Sequence, residues 1–69
     1  MQLNQETIND VKDGESLRKA LLEAEVVGKK CRLYASIAQD GGVRSLFENT
    51  AHEMDTAIEK MKKITPRYM

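Results

Sequence analysis

The chain has 69 residues, enough for one domain and too few to bury a large core. Its 11 Lys and Arg balance its 11 Asp and Glu, so the formal net charge is zero. That balance argues against a nucleic-acid binder, which carries a basic excess on one face, and the three aromatics Tyr34, Phe47 and Tyr68 stand too far apart for a base-stacking platform.

Cys31 is the only cysteine and His52 the only histidine, which excludes an intrachain disulfide and leaves no Cys/His cluster for structural zinc. Oligomerisation is then the route by which so small a domain gains stability. A lone cysteine fits a reduced, cytoplasmic compartment. Residues 1–6 lack both the basic segment and the apolar run of a signal peptide, and nowhere do 18 apolar residues follow one another, so no membrane insertion is expected.

In chain order, the first dozen residues carry Leu3, Ile8 and Val11. They either form a short separate helix or extend the next one through Gly14, where a mid-helix glycine costs about 1 kcal/mol. A helix is predicted over about 15–39, with Asp13 as its N-cap and Glu15 in its first turn. One seam of this helix reads Leu17, Leu21, Ala24, Gly28, Cys31, Ala35 and Ala38, in alternating steps of four and three. Its small residues allow a partner helix to approach closely. A second row holds Leu22, Val26, Leu33 and Ile37, and a third holds Ala20, Val27 and Tyr34. The stretch 20–38 is therefore apolar on several faces, more than one partner helix can cover.

Asp40, Gly41 and Gly42 mark a turn, with glycine supplying a left-handed helix end. A second helix is predicted over about 43–64. Val43, Leu46, Phe47, Ala51, Met54, Ala57, Ile58, Met61 and Ile64 fall in steps of three and four that line one face. Lys62 and Lys63 suit the C-terminal end of the helix dipole, and Pro66 ends the helix nearby. So short a link makes the two helices antiparallel neighbours. The expected fold is an all-α antiparallel helical hairpin that dimerises into a four-helix bundle. Its expected interface comprises Leu21, Ala24, Gly28, Cys31, Ala35 and Ala38 from the first helix, and Leu46, Phe47, Met54, Ile58 and Met61 from the second.

Candidate chemistry is sparse, and no enzyme is expected. Glu48 and His52 stand four apart on one side of the second helix and are the weak candidates for a metal; an ion pair at the bundle's edge is the plainer reading. Cys31 lies between Lys30 and Arg32, which would favour a thiolate, but sequence neighbours point apart on a helix, so a buried structural cysteine is expected. Met54 and Met61 read as core, with an adaptable docking groove as the other use. Gly41 and Gly42 lack the lysine and hydroxyl of a phosphate loop.

Arg32, Tyr34, Ala35 and Gln39, then Arg44-Ser45-Leu46-Phe47, then Pro66-Arg67-Tyr68 resemble the motifs of a small uncharacterised helical family of spore-forming Firmicutes. The resemblance covers about two-thirds of the chain. The chain departs from it in carrying Gly41 and Gly42 where the family tends to have acidic residues, and in a shorter segment before the proline. It implies a sporulation or germination setting without assigning an activity. Tyr34 and Ala38, with Phe47, Thr50 and Ala51, are more faintly similar to patterns of the ferritin-like superfamily, but Met54 and Ala57 occupy the places of its ligands. The function expected is a structural or interaction protein that acts by self-association or as an adaptor docking on a partner. A ferritin-like metal-binding or redox protein is the alternative, and no cofactor is expected.

Overall fold

In the computed structural model, which describes the backbone of residues 5–68 and the side chains of residues 11–67, the chain is an all-α antiparallel helical hairpin. Helix α1 (Gln5–Ile37) has 33 residues and α2 (Gly41–Ile64) has 24. Residues 38–40 link them, and a 3-10 turn (Thr65–Tyr68) follows α2.

The N-terminal stretch is not a separate helix. α1 runs unbroken from Gln5 through Gly14, so Asp13 lies inside it and caps nothing. Gly14 is buried and stands three residues before Leu17, in step with the seam of α1. The seam therefore begins earlier than Leu17, and packing along it offsets the cost of a helical glycine. Leu3 and the side chain of Ile8 lie outside the described residues.

The turn uses a different device from the expected left-handed glycine. Among the described residues no glycine has positive φ, and Gly41 and Gly42 form the first turn of α2. Asp40 is the N-cap: its extended backbone aims Oδ1 at the Val43 amide, which donates to it at 2.9 Å, and the Arg44 amide donates to the Asp40 carbonyl at 3.0 Å. At the other side of the link, Arg44 reaches back six residues and its guanidinium donates to the Ala38 carbonyl at 2.8 Å. A cation thereby satisfies a carbonyl just past the end of α1, where helix carbonyls lack partners.

α2 ends at Ile64 because Pro66 has no amide hydrogen to continue the ladder. Both the amide and the hydroxyl of Thr65 donate to the Met61 carbonyl, the hydroxyl at 2.7 Å.

The hairpin is a rod of 58 × 16 × 14 Å with a radius of gyration of 16.5 Å. A compact domain of this length would have about 11 Å. The rod is thin because its core is a line. Ala24, Cys31 and Ala35 of α1 and Ala51 of α2 are its buried apolar side chains, and among the described residues none falls below 2% exposure. Small side chains bring the helices together: a Cβ built on Gly28 would lie 3.6 Å from that of Met54. With Met54 beside Gly28, the antiparallel run puts the end of the 3-10 turn level with about Gly14. Residues 5–13 of α1 continue past it.

Candidate association surface

The predicted interface residues divide in two. Ala24, Gly28, Cys31 and Ala35 are buried, and Leu21 and Ala38 half-buried, along the side of α1 that faces α2. Phe47, Met54, Ile58 and Met61 are half-buried on the facing side of α2. These ten residues close the hairpin on itself, so a single chain already occupies the contact expected between chains. Leu46 alone of the eleven stands outside the seam, 61% exposed.

Other apolar residues remain open. On α1, Leu22, Val26, Leu33 and Ile37 are 63, 49, 58 and 68% exposed. At 3.6 residues per turn they occupy the side of α1 opposite the seam, and Val11, also exposed, continues the row. A second exposed group consists of Val27 and Tyr34 of α1 with Val43, Leu46 and Ile64 of α2. α1 is apolar on opposite sides, and α2 covers only one of them.

The whole-molecule surface carries the same message. The chain exposes 5581 Å². A globular monomer of 7.8 kDa exposes about 4,400 Å².

Polar contacts across the hairpin are few. Arg32 of α1 and Asp55 of α2 form a charge-assisted pair in which one guanidinium nitrogen donates to both carboxylate oxygens. The hydrogen bond from Arg32 is the main reason that the Asp55 carboxyl sits below its ordinary range; the charges of Arg32 and His52 act in the same direction, and desolvation opposes them. The same hydrogen bond holds the Arg32 guanidinium above its ordinary value. Near the turn, the rings of Tyr34 and Phe47, expected to stand apart because of their separation in sequence, are brought together by the hairpin, with centroids 5.3 Å apart and planes tilted by 57°, a favourable aromatic geometry. Arg32 and Asp55 are 23 residues apart, and no periodicity in either helix links them.

Glu48 and His52 are both exposed on α2. Among the described residues no group of three or more His, Cys, Asp or Glu side chains comes together around a common point. Cys31 is buried in the seam, while its neighbours Lys30 and Arg32 are exposed. An open depression lined by Asp13, Ser16, Leu17 and Ile64 marks where α1 passes the end of α2. It is shallow and brings no catalytic pair together. No helix among the described residues is long and apolar enough to cross a membrane.

Comparison with protein-family models, with curated proteins and with solved structures finds no match to this chain.

Proposed function

We propose that this protein is an interaction module that works by self-association, two hairpins joining into one four-helix body. The observation that carries this reading is the row Leu22, Val26, Leu33 and Ile37, left open in a hairpin with no fully buried large side chain among the described residues. Two separate hairpins expose twice 5581 Å², about 11,200 Å², whereas one globular body of their joint mass exposes about 7,200 Å². The difference of about 4,000 Å² is the most that pairing could bury, reached only by a fully compact body; a flatter arrangement of the four helices buries less. The motif resemblance supplies a sporulation or germination setting as part of the same proposal.

Sedimentation equilibrium at micromolar concentration tests it. A dimer is expected, with thermal stability that rises with concentration, as coupled folding and assembly require. A folded, stable monomer over the same range would remove the reading.

A further inference from the structure

We propose that the second copy docks on the outer row of α1, antiparallel, with the two-fold axis passing at Leu22. This rests on the self-association reading above and adds to it the face, the direction and the register. Steps of three, four and seven place Val11, Glu15, Leu22, Val26, Lys29 and Leu33 along one line of α1, all of them exposed. In an isologous contact residue i meets j and j meets i, so the line must complement its own reverse. About Leu22 it does at five of the six positions; the sixth, Val26, comes level with the partner's Arg18, whose aliphatic stem it meets. Val11 meets the partner's Leu33, Glu15 meets the partner's Lys29, and Leu22 meets the partner's Leu22. The flanks agree: Arg18 on one side of the line comes within one residue of level with the partner's Glu25, and Lys19 on the other side within two of the partner's Glu23. The Leu22 contact lies on the axis and occurs once; the Val11–Leu33 and Glu15–Lys29 contacts each occur twice, apolar against apolar and charge against opposite charge.

Pairing about the midpoint of Lys29 and Lys30 instead would set Leu22 against the partner's Ile37 and Val26 against the partner's Leu33. It would set lysine against lysine on both flanks, a like-charge cost. A row shaped for an unrelated helix has no need to match its own reverse. The match is therefore the reason to name a second copy as the occupant.

The register also accounts for the length of α1. Leu22 lies within one residue of the midpoint of Gln5–Ile37. Pairing there covers α1 over nearly its whole length, about 45 Å, including the segment that runs past the end of α2. Because the outer row lies opposite the seam, the four helices stand in a layer, with the two α1 helices inside and the two α2 helices outside.

The test uses sedimentation of the full chain, with circular dichroism to confirm that each variant stays helical. Leu22→Glu should weaken dimerisation about a hundredfold by placing two carboxylates at the two-fold axis, while Leu46→Glu should leave it within about twofold. Glu15→Lys and Lys29→Glu should each weaken it about tenfold, and the double variant should recover most of the loss, because the coupling lies between chains. The recovery remains readable even if Leu22→Glu fails to fold. Dimers that survive Leu22→Glu, or that dissociate with Leu46→Glu alone, would overturn this face and leave self-association standing. Additive losses in the double variant would overturn the register. A monomeric wild-type chain would instead defeat the underlying reading.

Discussion

Arg32 on α1 and Asp55 on α2 face each other across the hairpin, and theirs is the one ion pair among the described residues. It lies at an exposed edge beside the buried line of small residues, one turn from the contact between Gly28 and Met54.

The pair makes stability depend on pH in one direction. Asp55 has its pKa lowered in the folded chain, so its contribution is present above the ordinary carboxylate value, about 3.9, and is lost as pH falls through the lower folded value. Asp55→Asn should therefore lower the melting temperature at pH 7, and the gap to wild type should narrow in acid, below the ordinary carboxylate value. Melting curves at pH 7 and in acid check this. A gap that widens in acid would contradict the sign.

Gly28 is replaceable. A Cβ there would meet an Arg32 guanidinium nitrogen at 3.4 Å and the Met54 Cβ at 3.6 Å, both ordinary contacts. Gly28→Ala should therefore gain helix propensity without a clash and stabilise the chain by about 1 kcal/mol, measured by urea unfolding. A loss of stability would mean that the helices approach more closely at this point.

Asp40 governs the start of α2. Asp40→Ala leaves the Val43 amide without its acceptor and should cost about 1 kcal/mol, whereas Asp40→Asn should retain most of the cap. Urea unfolding midpoints of the two variants check the order. Gly42 belongs to the same device, since a Cβ at that position would come within 3.1 Å of the capping oxygen.

Ala51 is the most buried of the core side chains, 3% exposed. Ala51→Leu adds three carbons where the helices are in contact and should destabilise the hairpin by about 1–3 kcal/mol, read from the thermal midpoint. Leu33→Ala, on the open row, should leave the monomeric hairpin nearly unchanged and lower stability only where dimers form.

Periodicity in the sequence was enough to establish two helices, their antiparallel arrangement and the small-residue seam, because a 3.6-residue repeat writes the buried face of a helix into the spacing of its apolar residues. The end of α2 was legible for a similar reason, since proline lacks the hydrogen that the ladder needs. The start of α1 was not. Asp13 and Gly14 look like a boundary locally, but Gly14 falls in step with the seam, and packing outweighs propensity there. Nor could spacing say which of the several apolar faces of α1 meets α2, or that Asp40 and Arg44 together would replace a left-handed glycine at the turn. Those outcomes depend on which side chains come together across the hairpin, as do the Arg32–Asp55 pair and the Tyr34–Phe47 contact. Relations between residues a dozen or more positions apart are set by how closely two helices approach and at what register, and the pattern within one helix carries no record of either.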